Sequence, residues 1–326
     1  MISGVSEVGT PGRVPLRVVA LGGGHGLSAS LSALRRVVDE VTAVLTVADN
    51  GGSSGRLREE FGVLPPGDLR QALAALCGDD EWGRTWAGVL QHRFSSSGAM
   101  HDHAMGNLLI VALWELLGDH VDGLAWVARL LGAEGRVLPM SVAPIDITAS
   151  VRGADPHNPA AMSTVRGQVE VASTHGQVVS IALEPSEPPA CPEVLEAVGD
   201  ADWIVLGPGS WFTSVIPHLL VPELRTALTT ANARRAVTLN LVPQTGETDG
   251  YSPEAHLEVL GSYAPELKLD VVVVDERTVT DLTNLRRTAA TFGADLVVAD
   301  VASDDGSPRH DPEKLAVAYA AFLGEA

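Results

Sequence analysis

Two glycine-rich loops near the start of the chain constrain its fold more than any other feature, because each directly follows a short run of β-forming residues. The first loop reads GGGHGL over residues 22–27, and the second reads DNGGSSG over residues 49–55. Glycine allows a turn to approach a ligand closely, and the helix after such a turn begins with unpaired N–H groups and a partial positive charge. The two loops therefore predict α/β units with a site for a phosphorylated ligand.

The hydrophobic pattern around these loops is that of a βαβ unit, with buried strands at 17–21 and 41–48 and an amphipathic helix at 27–38. Strand and helix alternate again in the second half of the chain. The remaining strands are predicted at 203–206, 236–241, 271–274 and 296–299, and the remaining helices at 69–76, 106–117, 222–233, 253–263, 279–292 and 312–323. The helix at 106–117 is apolar on nearly all sides, so we expect it to be central and buried. Together these elements predict a Rossmann-like α/β fold whose mostly parallel sheet has helices on both faces.

The texture of the sequence changes between residues 140 and 183. Segments 145–151, 165–172 and 178–183 alternate polar and apolar residues and are separated by Gly, Asn and Pro. We interpret them as a small antiparallel β insertion at about 140–185, within a single α/β domain that spans residues 17–326. Residues 1–16 are expected to form a flexible N-terminus.

The charge balance limits the partners of this protein. The chain has 22 Lys and Arg residues against 41 Asp and Glu residues, a net charge of −19, which repels nucleic-acid polymers and anionic membranes. The only lysines, Lys268 and Lys314, are outside any Gly-Lys-Ser/Thr motif, which excludes a Walker-type triphosphate site. The distant Cys77 and Cys191 offer no disulfide framework, and no apolar run approaches the ~18 residues of a membrane span. We therefore expect a cytoplasmic protein without membrane insertion.

The first loop fits the dinucleotide-binding pattern G-x-G-x-x-G/A over residues 24–29, and Asp49 ends the next strand, where a ribose-binding acid would lie. The alternative is an ordinary tight turn that needs glycine. In the second loop, Gly51, Gly52, Ser53 and Ser54 supply donors, and Arg56 and Arg58 follow within reach of phosphate; the alternative is a flexible loop with solvated arginines.

Residues 51–55 also match G-x-S-x-G, which would make Ser53 a nucleophile. The sequence singles out no Asp and His as its partners, so this hydrolase interpretation is disfavoured.

A third glycine turn, GPGSWFTS over residues 207–214, follows the strand at 203–206 and offers the hydroxyls of Ser210, Thr213 and Ser214. Ligands of open α/β sheets bind at the carboxyl ends of the strands, where such turns meet. Three turns of this kind predict one shared crevice. The polar segment 240–251 is suited to reading a base or sugar, although an ordinary surface loop explains it equally well.

The segment 101–103 and the residue Asp68 each allow more than one role. His101-Asp-His103 contains metal-ligand types, but neighbouring residues on an extended segment alternate sides, which favours a hydrogen-bonding histidine over zinc. Asp68 precedes a helix, so it either caps that helix or holds a ligand hydroxyl or Mg²⁺, and the sequence slightly favours the cap.

Seven ordered motifs resemble the YvcK-like family of bacterial gluconeogenesis factors, relatives of the 2-phospho-L-lactate transferases (CofD-like proteins). They stand here at residues 22–27, 48–58, 65–70, 103–108, 207–214, 244–248 and 309–311, and the resemblance runs from about residue 17 to the C-terminus. It implies a Rossmann-like core, a cytoplasmic location and binding of UDP-N-acetylglucosamine in the control of carbon metabolism, cell-wall precursor supply and cell shape. No enzymatic reaction is established for that branch.

This chain departs from the family pattern inside several motifs. His25 replaces a threonine, Asn50 the second of two acids, Gln71 an asparagine and Thr245 a proline, while Trp211-Phe212 replaces Leu-Tyr. A transferase of this superfamily is expected to hold Mg²⁺ at the phosphates with carboxylates. Loss of an acid at Asn50 therefore weakens the catalytic interpretation and leaves ligand binding intact.

The first hypothesis is a nucleotide-sugar-binding regulator, in which the three loops cradle the diphosphate of a UDP-sugar or another nucleotide diphosphate. The second is an Mg²⁺-dependent transferase with Asp49 and Asp68 as metal ligands. No cofactor is assigned beyond Mg²⁺ accompanying the nucleotide, and a homodimer is expected from the prevalence of such assemblies. The residues expected to bind the ligand are Gly22, Gly23, Gly24, His25, Gly26, Leu27, Asp49, Asn50, Gly51, Gly52, Ser53, Ser54, Arg56, Asp68, His103, Asn107, Gly207, Gly209, Ser210, Asn240, Thr245 and Arg309.

Overall fold

Strands in the computed structural model, which describes residues 15–155, 157–158, 160–244 and 246–324, belong to two sheets. Seven form a sheet in the order β10-β9-β8-β7-β1-β2-β3, and each pair of neighbours in it is parallel. The other three form an antiparallel sheet in the order β5-β4-β6. In chain order the strands are β1 (Arg17–Gly22), β2 (Glu40–Leu45), β3 (Arg136–Pro139), β4 (Asp146–Arg152), β5 (Met162–Arg166), β6 (Gln177–Glu184), β7 (Trp203–Leu206), β8 (Arg234–Thr238), β9 (Val271–Asp275) and β10 (Asp295–Ala299).

The order of the parallel sheet reverses at β1. From β1 the chain proceeds to β2 and β3 on one side, and it later returns to place β7 against the other side of β1. The inner strands are buried along almost their whole length, as in β7 and β9, because helices cover both faces of such a sheet. The carboxyl ends of β1 and β7 therefore form the switch point at which open α/β sheets bind ligands.

Thirteen α-helices are found among the described residues. They are α1 (Gly24–Leu34), α2 (Gly52–Phe61), α3 (Gly67–Ala75), α4 (Glu81–Gln91), α5 (Met105–Leu117), α6 (His120–Leu131), α7 (Gln168–Ala172), α8 (Pro192–Gly199), α9 (Pro217–Leu220), α10 (Pro222–Thr230), α11 (Pro253–Tyr263), α12 (Leu282–Phe292) and α13 (Pro312–Leu323). A π-helical turn, Trp211–Val215, follows β7. Helix α1 packs against α13 and α3.

A buried hydrogen-bond network ties the C-terminal helix to the sheet. The hydroxyl of Tyr319 lies 2.8 Å from that of Ser30 in α1 and 2.9 Å from that of Thr238 at the end of β8. Tyr319 itself is fully buried. The helix that carries the first glycine loop is thus fixed to both the C-terminal helix and a central strand.

The predicted fold class is confirmed, and two local predictions are wrong. Residues 165–172 were expected to form a strand, but only their beginning belongs to β5, and the rest is the short helix α7. The helix at 106–117 was expected to be central and buried, yet Leu116 is 77% exposed. Its apolar composition could not reveal this, because burial of each side depends on where the neighbouring helices α2, α3, α4 and α6 pack.

Most of the expected N-terminal segment, residues 1–14, and site residue Thr245 lie outside the described residues. Within the described part of the chain, no helix combines the length and the apolar character that crossing a membrane requires.

Candidate ligand-binding site

The first glycine loop leads directly from β1 into α1. Gly23 is the N-cap residue of α1 and provides no side-chain cap, and Gly24 follows with φ of +58°. A Cβ atom on Gly26 would lie 2.4 Å from the carbonyl oxygen of Pro208 in the third loop. The glycines of the first loop therefore let its backbone pack against the third loop. Gly22 and the fully buried Leu27 pack against each other beneath the turn and fix its base.

A side chain that follows the end of β8 holds the third loop in place. Oδ1 of Asn240 accepts a hydrogen bond from the Gly209 N–H at 3.0 Å, and its Nδ2 donates to the Gly209 carbonyl at 2.8 Å. Gly209 has φ of +149° and Gly207 has φ of +68°, conformations that favour glycine. Both polar groups of the Asn240 amide thus position the third loop.

Two further residues of the polar segment also brace the third loop. Oε1 of Gln244 accepts from the Trp211 N–H, and its Nε2 donates to Ser210 Oγ at 3.1 Å. The buried carboxyl group of Glu247 accepts from the Phe212 N–H and from Thr213 Oγ1 at 2.7 Å. Burial raises the pKa of Glu247. Sequence reasoning singled out this segment as polar but missed that it supports the loop, because these bonds join residues more than 30 positions apart.

The first and third loops line a crevice of about 610 Å³ at the switch point between β1 and β7. Its lining includes His25 and Gly26 from the first loop, Gly209 and Asn240, and Arg309. Burial, with help from the charges of Arg309 and Arg70, lowers the pKa of His25. The crevice therefore combines free helix N–H groups, a guanidinium group and a histidine that is neutral at pH 7.

Known proteins share this architecture over nearly the whole chain. The family model described as 2-phospho-L-lactate transferase CofD matches residues 18–309. The chain belongs to the CofD family. A putative gluconeogenesis factor of Mycobacterium tuberculosis H37Rv is 52% identical over 302 residues, which cover 92% of this chain and 88% of that protein.

More distant relatives also match this chain over nearly its whole length. The gluconeogenesis factor of Listeria monocytogenes is 33% identical and is matched over 94% of this chain and 95% of its own length. A crystal structure of a UPF0052 family protein from Bacillus halodurans superposes with a TM-score of 0.83 at 31% identity and covers 94% of this chain and 99% of that chain. The resemblance to gluconeogenesis factors predicted from the motifs is confirmed.

In this CofD-family chain the second glycine loop lines a cavity of its own, of about 210 Å³. None of the residues that line it also lines the 610 Å³ crevice. A shallow depression of about 530 Å³ connects the two, since it shares His25 with the crevice and Gln71 with the smaller cavity. The structure therefore brings the three loops to one edge of the sheet but divides the expected shared crevice into two adjoining spaces.

Asp49 and Asp68 lie near enough to each other for their charges to interact. Oδ1 of Asp49 accepts from the Gly51 N–H at 2.9 Å, and a Cβ atom on Gly23 would lie 2.6 Å from Oδ2 of Asp68. Burial raises the pKa of Asp68 to about 7, and the charge of Asp49 adds to this rise. The predicted cap is wrong, because the N-cap of α3 is Pro66 and Asp68 instead accepts from the N–H of Gly24.

The oxygen atoms around Gly23 fit the requirements of Mg²⁺. Besides Asp68, the hydroxyls of Thr46 and Ser214 lie about 3 Å from where a Cβ atom of Gly23 would be, and Thr46 Oγ1 is buried without a hydrogen-bond partner among the described residues. Oxygen donors with one or two carboxylates are the usual protein contribution to a Mg²⁺ site that also contacts phosphates. No cluster of three or more His, Cys, Asp or Glu side chains suited to a metal occurs within the described residues.

Ser53, His103 and Asn107 form a buried group behind the second loop. Ser53 Oγ lies 3.1 Å from Nδ1 of His103 and accepts hydrogen bonds from Asn107 Nδ2 and the Ala104 N–H. Ser53 and Asn107 line the small cavity, whereas His103 lies behind them and lines neither that cavity nor the crevice. Burial lowers the pKa of His103. The sequence alone could not pair Ser53 with a histidine 50 positions away.

The remaining polar residues of the second loop contact protein groups. Asn50 donates to Glu170 Oε2 at 2.7 Å and accepts from the Val169 N–H, so it binds the β insertion. Arg56 donates to the carbonyl of His101 at 2.9 Å. Arg58, also expected near phosphate, forms an ion pair of 2.6 Å with Asp146. Both arginines thus contact loop or insertion residues in this structure.

Proposed function

We propose that this protein is a nucleotide-sugar-binding regulator whose ligand is UDP-N-acetylglucosamine. The observation that carries the proposal is the position of the 610 Å³ crevice at the switch point, between the start of α1, whose N-cap Gly23 has no side chain, and a third loop fixed by Asn240. Backbone N–H groups at such a position bind diphosphates without lysine, and this crevice has no lysine among its lining residues.

The lining residues suggest how the ligand lies. The diphosphate is placed against the backbone of the first loop (Gly22–Gly26) and of the third loop (Gly207–Ser210), and Arg309 contacts phosphate or uracil. The sugar extends over the depression shared by His25 and Gln71. Asn240 acts by holding the loop that binds the phosphates.

In the proposed role the protein senses the supply of nucleotide sugar and links carbon metabolism to cell-wall precursor supply and cell shape. The strongly acidic composition and the low count of cysteine support a cytoplasmic protein that does not bind nucleic-acid polymers. We further propose that residues 17–326 form one domain with the insertion at 140–185, and that two copies assemble into a homodimer. Ligand binding would shift the insertion or the dimer interface.

Thermal unfolding tests the proposal directly. UDP-N-acetylglucosamine is expected to raise Tm in proportion to the logarithm of its concentration above Kd. Arg309→Gln is expected to weaken this response by about tenfold in Kd, since it removes a charge-assisted contact. Arg287→Gln, which makes the same change on α12, is the matched control. A shift with GDP or dinucleotides and none with UDP-sugars would contradict the proposal.

A second candidate is an Mg²⁺-dependent transferase that moves a phosphorylated group from a nucleotide diphosphate carrier to an acceptor hydroxyl. The charge interaction between the carboxyl groups of Asp49 and Asp68 supports it, because Mg²⁺ would relieve their repulsion and bind the diphosphate. Release of a nucleoside phosphate from UDP- or GDP-linked donors, dependent on Mg²⁺ and acceptor and abolished in Asp68→Asn, would support it. Stable donor under all conditions would exclude it.

A further inference from the structure

We propose that the 210 Å³ cavity behind the second glycine loop is a separate binding site for a small protonated oxyanion, inorganic phosphate. This goes beyond the proposed nucleotide-sugar function, because it gives the protein a second ligand. The site is formed by the N-terminal ends of α2 and α3 together with Arg70 and Arg93.

The first observation is a buried cation that lacks part of its hydrogen bonding. Arg70 is 3% exposed, and its Nε donates to Asn107 Oδ1 at 2.9 Å. Its Nη1 atom is buried without a partner among the described residues, although Arg70 lines the cavity. Burial and the charge of Arg93 lower the pKa of Arg70 to about 10. Two guanidinium groups at one cavity, one of them incompletely satisfied, favour an anion between them.

The second observation is the state of the helix ends at the same cavity. Helix α2 has ten residues, its N-cap Gly51 provides no side-chain cap, and its first turn contains no acidic residue. Helix α3 begins at Gly67, which also lines the cavity, and lacks a side-chain cap as well. Uncapped helix N-termini bind oxyanions through their free N–H groups. The partial charge of α2 therefore adds to that of the two arginines.

The third observation defines which anion the site accepts. Asp49 lines the cavity and repels a fully ionised oxyanion. Phosphate at neutral pH retains at least one proton, which it can donate to a carboxylate oxygen, whereas sulfate has none to donate. Asp49 has one oxygen engaged by the Gly51 N–H, and its other oxygen can accept the ligand's proton. The site should therefore prefer phosphate to sulfate.

The cavity is distinct from the proposed nucleotide site. Its lining residues are all different from those of the 610 Å³ crevice, and the two adjoin only through the shallow depression that contains His25 and Gln71. The two ligands should therefore bind to the protein at the same time, without competing with each other.

Calorimetric titration with inorganic phosphate, in EDTA and with UDP-N-acetylglucosamine held at saturation, tests this proposal. Phosphate is expected to bind, and sulfate at equal ionic strength to bind at least about tenfold more weakly. Arg93→Gln should weaken phosphate binding about tenfold, because it removes one charge-assisted contact from a half-exposed side chain that is not part of the core. Arg287→Gln is the control. Asp49→Asn should remove the discrimination by allowing sulfate to bind.

Three results would overturn the proposal. Equal binding of sulfate and phosphate would show that the site does not depend on a proton of the ligand. Competition of phosphate with the nucleotide sugar would show that both bind at a single site. Phosphate binding that requires Mg²⁺ would assign the effect to a metal bridge. If phosphate binds alone and no UDP-sugar does, the nucleotide-sugar function fails while the anion site stands.

Discussion

Ser53 Oγ and His103 Nδ1 lie 3.1 Å apart in a buried pair that joins the start of α2 to the segment before α5. The same hydroxyl accepts hydrogen bonds from Asn107 Nδ2 at 3.0 Å and from the Ala104 N–H at 3.2 Å. Since both lone pairs of the oxygen are used, its proton points to His103, which must carry its own proton on Nε2. The pair therefore resembles a catalytic dyad in distance but acts as a structural connection.

Ser53→Ala is accordingly expected to destabilise the protein by about 1–3 kcal/mol, because it leaves two buried donors without an acceptor. Urea unfolding measures this change, with the exposed Ser97→Ala as control. A reagent specific for active-site serines should not label the wild-type protein. Labelling at Ser53, or hydrolysis of an ester that stops in Ser53→Ala, would restore the hydrolase interpretation.

Asp68 should give the stability of the protein an unusual pH dependence. Its pKa is raised from an ordinary 3.8 to about 7, so the folded state retains a proton that the unfolded state has already lost. Ionising Asp68 in the folded state lowers the free energy of unfolding. This loss is absent below pH 4, grows as pH rises and is complete above pH 7. Asp68→Asn is therefore expected to stabilise the protein by as much as roughly 4 kcal/mol at pH 8 and by far less at pH 4.

Unfolding curves measured from pH 4 to pH 8 check this expectation. Glu258→Gln, on an exposed position of α11, is the matched loss of charge and should leave the profile unchanged. Parallel profiles for wild-type protein and Asp68→Asn would contradict the raised pKa.

His25 should make ligand binding stronger at low pH. Burial and the neighbouring arginine charges lower its pKa, so the imidazole is neutral at pH 7, and a bound diphosphate favours the charged form. Binding then takes up a proton, and affinity rises as pH falls below the ordinary histidine range. Titrations of UDP-N-acetylglucosamine at pH 5.5 and pH 8 are expected to differ in Kd, and His25→Thr should abolish the difference. A pH effect that survives in His25→Thr must come from another group.

The Asn50–Glu170 hydrogen bond of 2.7 Å ties the second loop to the β insertion. Asn50→Asp would place two carboxylates at this contact and is expected to destabilise the protein by about 1 kcal/mol. Glu170→Gln in the same chain should recover most of that loss, since the amide can donate to the new carboxylate. Additive effects in a double-mutant cycle would show that the two residues do not interact.

The sequence by itself determined the parallel strands, the glycine turns after them and the family. These depend on local patterns, because runs of β-branched residues, the spacing of glycines and the residues that start and end helices are all visible within a few positions. The strand at 203–206, the helices at 253–263 and 312–323 and the antiparallel insertion were all predicted in this way. The same local view failed at 165–172, where an alternating pattern covers a strand end and a short helix.

Only the tertiary structure decided how these pieces form a site. It assigned Asn240 to the third loop, directed Asp68 to the first loop instead of its own helix end, and left Arg70 incompletely bonded beside the second loop. The first two of these relationships join segments separated by 30 or more residues, and spacing along the chain contains no record of any of the three. The paired glycine loops of the sequence therefore predicted one shared crevice, while packing of the elements placed the loops at two adjoining cavities.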